Sequence, residues 1–96
     1  MNEQFNGLSP AESERLYILL EELGEAQQAI GKILRHGYLS MHPNGGLNNR
    51  EQLEKELGDV RHAMIRLCNA GDIEKEEIHD AADKKAISIV KYLHHQ

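Results

Sequence analysis

The sequence predicts an all-α fold: a bundle of about three helices per chain, completed by oligomerisation, with a carboxylate-lined metal site between helices. Three observations predict it. Apolar residues recur at spacings of three and four along three stretches, with capping residues at their starts and glycines closing the first two. No stretch alternates apolar and polar residues as a half-buried strand does. One block also occurs twice: Glu22-Leu23-Gly24-Glu25-Ala26-Gln27-Gln28-Ala29-Ile30 returns thirty-four residues later as Glu56-Leu57-Gly58-Asp59-Val60-Arg61-His62-Ala63-Met64.

The first helix has a defined start. Ser9 stands at the N-cap, Pro10 at the first helical position and Glu12 where it completes a capping box. It is predicted to run to about Leu34, with Leu16, Leu19, Leu20, Leu23, Ala26, Ile30, Ile33 and Leu34 on one face and Gly37 as its stop. Residues 1–8 before it are expected to be flexible. Residues 36–49 hold Pro43, Gly45, Gly46 and three asparagines, which makes them a loop. The second helix begins near Asn48 or Asn49, with Glu51 or Gln52 at the capping-box position. It carries Leu53, Leu57, Val60, Met64, Leu67 and Cys68 on one face up to Gly71. Asp72 is expected to cap a third helix that buries Ile78, Ala82, Ala86, Ile89 and Leu93, with Ile87 and Val90 widening the face.

The 96 residues, 40% hydrophobic and 28% charged, describe one ordinary globular domain spanning 1–96. A domain this small buries a modest share of its surface, and three helices leave apolar area in search of a partner, so a homodimer or homotetramer is expected. A net charge of −5 argues against a general affinity for nucleic acid. No run approaches the roughly 18 apolar residues of a membrane span, and Met1 to Leu8 lacks the layout of a signal peptide; the expected location is the cytoplasm. The single cysteine, Cys68, falls on an apolar stripe and reads as an inert buried thiol.

The chemistry lies in the repeated block. Glu22 and Glu25 are three residues apart, as are Glu56 and Asp59, so each pair points to one side of its helix, roughly 60° apart and one turn on. Each pair flanks an apolar stripe and has a small residue, Ala29 or Ala63, four positions beyond its second acid. One E-x-x-E is common surface decoration. Two copies in matched surroundings indicate four carboxylates that converge on a cation, and all-oxygen ligation of this kind suits Mg²⁺, with Mn²⁺ the other candidate. Gly24 and Gly58 also correspond, and their cost of about 1 kcal/mol each in a helix interior is expected to be offset by close helix approach. Lys32 and Arg66 correspond as well, seven residues past the second acid of each helix, where they are expected to hold phosphate oxygens. Asp83 is a further candidate ligand from the third helix.

A thirty-four-residue period is also that of tetratricopeptide repeats, but those hold two helices per period and each copy here holds one. Asp59-x-x-His62 matches half of the Glu-x-x-His motif of di-iron bundles. Its counterpart across the repeat is Gln28, so the second half is missing. A non-catalytic helical interaction module would have no use for four matched acids.

At Glu21-Glu22-Leu23-Gly24-Glu25 and Glu56-Leu57-Gly58-Asp59 the chain resembles the MazG-like, all-α nucleoside triphosphate pyrophosphohydrolases, whose mark is E-E-x-x-E on one helix and E-x-x-D on the next. The resemblance runs from about Leu16 to about Lys85. It implies Mg²⁺ held by Glu22, Glu25, Glu56 and Asp59, and hydrolysis of a (deoxy)nucleoside triphosphate to monophosphate and pyrophosphate. Glu21, Glu22 and Glu25 are the candidates for the base that activates water. Family members often add an acid and a Lys/Asn/Arg cluster on the following helix, where Asp83-Lys84-Lys85 stands here. His36 and Tyr38, with His42 and Asn44 in the loop, are candidates for contact with base or ribose. Two features depart from the family: a longer segment between the acid pairs and no tryptophan. Phosphoribosyl-ATP pyrophosphohydrolases of histidine biosynthesis carry similar carboxylate helices and form the neighbouring expectation.

Overall fold

The computed structural model describes residues 5–96 and is all-helical, with three α-helices and a terminal 3-10 turn. Helix α1 spans Pro10–His36, α2 spans Asn49–Asn69 and α3 spans Lys75–Ser88, followed by the turn Val90–Tyr92. The segment expected to be flexible lies partly outside the described residues, which begin at Phe5 in a turn leading into α1. No helix among the described residues is long and apolar enough to cross a membrane.

Local sequence sets the boundaries of the first two helices. Ser9 Oγ accepts from the Glu12 amide at 3.1 Å while Glu12 Oε1 accepts from the Ser9 amide at 2.8 Å, a closed capping box. Asn48 and Glu51 repeat this reciprocal pair at the start of α2, at 2.9 and 3.0 Å. Gly37 ends α1 with φ 86° and donates its amide to Ile33 O; the positive φ is why glycine stands there. The Asn49 side chain donates to Gly37 O at 3.0 Å, and Met41 and Asn48 form an isolated antiparallel bridge, so the loop folds back on itself and lays α2 antiparallel along α1.

The face on which α1 meets α2 differs from the apolar stripe. Ala26 and Ala29 are the buried residues of α1, and Glu56, Val60, Ala63 and Leu67 are those of α2, the helix packed against it. Leu16, Leu20, Leu23, Ile30 and Leu34, on which the stripe centres, remain exposed, Leu34 by 82%. On a helical wheel the stripe lies roughly 100° round from the contact face. Small residues let the two helices approach and place the acids between them, and the large apolar side chains are left for another surface. Leu57 of the α2 stripe is likewise exposed.

Helix α3 departs most from expectation. Asp72 does not cap it. Its carboxylate is gripped by both nitrogens of the Arg15 fork, Nε at 2.6 Å and Nη2 at 3.1 Å, and a bidentate guanidinium is a stronger partner than a single helix amide. The helix starts instead after Glu74, whose side chain caps nothing. None of its residues is buried: Ile78 is half-buried against the end of α2, whereas Ala82, Ala86, Ile89 and Leu93 are exposed. The radius of gyration, 17.1 Å, exceeds the roughly 12.5 Å of a compact domain of this length. The third helix stands off the α1–α2 hairpin rather than closing a bundle over it.

Candidate metal centre

Antiparallel packing of two helices that carry the same block relates the two copies by an approximate two-fold axis. The repeat therefore brings its acids face to face. Glu22, Glu25, Glu56 and Asp59 each offer an oxygen, all within 4.8 Å of one another. Glu56 is the most enclosed at 4% exposure, and the other three are half-buried.

Two oxygens in this cluster, Glu22 Oε2 and Glu56 Oε2, are buried and accept no hydrogen bond among the described residues. A buried carboxylate oxygen without a donor is costly, and native proteins leave few of them. The other Glu56 oxygen, Oε1, accepts from Gln52 Nε2 at 2.7 Å. Glu25 feels the crowding in its acidity. A proton that it can share with Glu56 raises its pKa above the ordinary value, helped by repulsion from Glu56 and Glu22, by burial and by Glu21. Two free buried oxygens and a carboxyl reluctant to ionise fit a divalent cation with all-oxygen ligation.

Lys55 supplies the nearest positive charge. Its ammonium lies 2.9 Å from Asp59 Oδ2 and 3.4 Å from Glu56 Oε1. These two hydrogen bonds, Asp59 first, raise its pKa to about 12.

The remaining sequence candidates separate into those near the cluster and those away from it. Lys32 lines a cleft of about 210 Å³ with Glu25, Gln28, Ala29, Gln52 and Glu56. It also lines an open groove along α1 shared with Glu21, Gln28 and Arg35. Glu21 itself is exposed and outside the four-acid cluster. Arg66 lies toward the other end of α2, where it donates to His62 Nε2 at 3.2 Å in a hollow shared with Arg15. The two-fold relation explains this. Residues seven beyond each acid pair run in opposite directions on antiparallel helices, so Lys32 and Arg66 diverge rather than converge.

Asp83 is not part of the cluster. It is exposed on α3, 3.8 Å from His79 Nε2, and Lys84 is exposed beside it. His36 lines a cavity of about 540 Å³ between the end of α1, the loop and the start of α2, with Lys32, Arg35, Met41, His42 and Leu47. Neither Tyr38 nor Asn44 lines that cavity; the Tyr38 ring stacks with the Arg50 guanidinium, 5.2 Å from its centroid. Sequence reasoning missed Gln52, Lys55 and Arg35. Gln52 and Lys55 lie four and one residues before Glu56, and helical spacing from that acid was the signal that could have found Gln52.

The expected close approach at Gly24 and Gly58 is absent within the chain, since a Cβ built at either position meets nothing within 4 Å. The alanines, not the glycines, form the contact.

The family model described as the MazG nucleotide pyrophosphohydrolase domain matches residues 11–93. The chain belongs to that family. The chain is also 36% identical over 62 residues to the uncharacterised protein YpjD of Bacillus subtilis (strain 168), a match covering 65% of this chain and 51% of that protein. It therefore spans about half the length of the curated relative it matches. No solved structure matches the chain. MazG family members depend on divalent metal, and this chain brings four carboxylates together in one cluster.

Proposed function

We propose that this MazG-family chain is a Mg²⁺-dependent nucleotide pyrophosphohydrolase, with Mn²⁺ able to substitute, that converts a (deoxy)nucleoside triphosphate to monophosphate and pyrophosphate. The observation that carries the reading is the pair of buried, undonated carboxylate oxygens inside a four-acid cluster that faces across two matched helices. Surface acids held for solubility would turn those oxygens to water.

Glu22, Glu25, Glu56 and Asp59 would hold the metal, which supplies charge neutralisation at the phosphates and a more acidic water. Gln52 fixes one Glu56 oxygen and so orients the other into the cluster. Lys32, in the cleft beside Glu25 and Glu56, takes a phosphate oxygen, and Arg35 lies next to it along the groove. Glu21 lies on the same groove but outside the cluster, which leaves its carboxylate free to accept the proton of the attacking water. The nucleoside part enters the loop cavity, where Met41 and Leu47 offer apolar contact and His36 and His42 offer polar contact. Arg66, Tyr38 and Lys84 have no place in this arrangement within one chain.

The uncovered leucine stripe of α1 and the unburied α3 support a homodimer or homotetramer, and Asp83 and Lys84 reach an acid cluster only as contributions to a partner copy. A cytoplasmic location belongs to the same reading. The test is product release from a panel of dNTPs, NTPs and phosphoribosyl-ATP with Mg²⁺. Pyrophosphate from at least one substrate is expected; orthophosphate released stepwise, or no turnover across the panel, would overturn the reading.

A further inference from the structure

The two-fold relation between the repeats is broken at one chemically decisive position. Thirty-four residues before Lys55 stands Glu21, so the same register holds an acid on α1 and an ammonium on α2. The two ends of the acid cluster are therefore unlike. On the α1 side Glu21 adds negative charge beside Glu25, whereas on the α2 side Lys55 Nζ bridges Asp59 Oδ2 at 2.9 Å and Glu56 Oε1 at 3.4 Å. Both acids that Lys55 touches belong to the proposed metal set. The undonated oxygens, Glu22 Oε2 and Glu56 Oε2, are not among the two that Lys55 contacts.

We infer that Lys55 is an internal cation of the acid site: it neutralises Asp59 and Glu56 while no metal is bound and competes with the incoming divalent ion for those same two carboxylates. The inference rests on reading the cluster as a metal site. An ammonium donates to the lone pairs a metal would use, so Asp59 cannot serve both at once through the same oxygen. Half-exposed and carried on a flexible stem, Lys55 is able to swing out to solvent when the ion arrives, which a buried lysine could not do. Two consequences oppose each other in sign. Resting acids with a resident counter-charge repel one another less, so the metal-free fold gains; the metal would have to displace or tolerate that positive charge, so its affinity falls. Lys55 thus acts as a positioning residue that sets how tightly the site holds its ion.

The test is calorimetric titration of Mn²⁺ and Mg²⁺ into the nucleotide-free full chain, with melting curves in chelator and in saturating metal, for the parent, Lys55→Met, Lys55→Arg and Lys32→Met. Lys55→Met is expected to bind metal about ten- to thirty-fold more tightly and to melt lower than the parent in chelator, with the deficit recovered in saturating metal. Lys55→Arg keeps a cation in reach and is expected to bind as the parent does. Lys32→Met tests the contact itself, because Lys32 lines the cleft but donates to none of the four acids. If Lys55→Met binds metal as the parent does, or if Lys32→Met tightens binding equally, the proposed competition is wrong while the metal site stands. If the parent and every variant fail to bind metal, the metal reading falls and the inference with it.

Discussion

Glu25 and Asp72 are the two carboxyls whose surroundings move them furthest, and they move in opposite directions. The Arg15 guanidinium holds Asp72 below its ordinary 3.8, so its contribution to stability is present above that value and is lost as pH falls through its folded pKa. Glu25, raised above 4.5 first by its hydrogen bond to Glu56, contributes below 4.5 and loses that contribution as pH climbs through its folded pKa. The metal-free protein is therefore expected to melt higher near about pH 5 than at pH 8, and to lose stability again under acid. Saturating Mg²⁺ should lift the pH 8 value most, because it binds only the folded, ionised site. Melting curves in chelator and in Mg²⁺ check both limbs; a melting temperature at pH 8 that ignores Mg²⁺ contradicts the assignment. Glu25→Gln is expected to remove hydrolysis while leaving the metal-free protein at least as stable as the parent, since it relieves repulsion among the acids. Asp72→Asn is expected to lower the melting temperature with little change in catalysis.

At the scale of the helices, the starts of α1 and α2 were legible in the sequence because capping is local chemistry: a side chain reaches an amide three residues away and needs nothing else. The convergence of the four acids was legible for a related reason, since the repeat placed matched acid pairs on two helices that a loop could fold together. What periodicity did not reveal is which side of α1 meets α2. It identifies an apolar face without naming the surface that covers it, and here Ala26 and Ala29 are the buried residues of α1 while Leu16, Leu20, Leu23 and Leu34 stay exposed. The capping role of Asp72 was lost to Arg15, fifty-seven residues away, a competitor that no local pattern contains. Lys55 was overlooked because its significance lies in two contacts rather than in a motif. Two substitutions follow from the contact face. Leu67 of α2 is 2% exposed, and Leu67→Ala is expected to cost about 2–5 kcal/mol in denaturant unfolding. Gly24→Ala is expected to be stabilising by up to about 1 kcal/mol, because the added methyl meets open space inside a helix; a loss of stability would reveal a partner surface at that point.

For the molecule as a whole, the extended shape and the open leucine stripe belong together. A hairpin whose largest apolar side chains face outward, with a third helix that buries nothing, has less core than its length allows, and a second copy is the surface that the proposed function assigns to it. Light scattering is expected to give a dimer or tetramer at micromolar concentration. Leu20→Asp with Leu34→Asp, both exposed and on the side of α1 away from Glu22 and Glu25, is expected to yield a smaller species; an unchanged assembly would locate the interface elsewhere.

In the proposed function four carboxylates act together on a triphosphate through a bound divalent ion. Phosphorus NMR of a nucleoside triphosphate incubated with the chain and Mg²⁺ tests this directly. Monophosphate and pyrophosphate are expected in equal amounts, with the reaction stopped by chelator and absent in Glu25→Gln. Diphosphate with orthophosphate, or turnover that survives chelator, would contradict it.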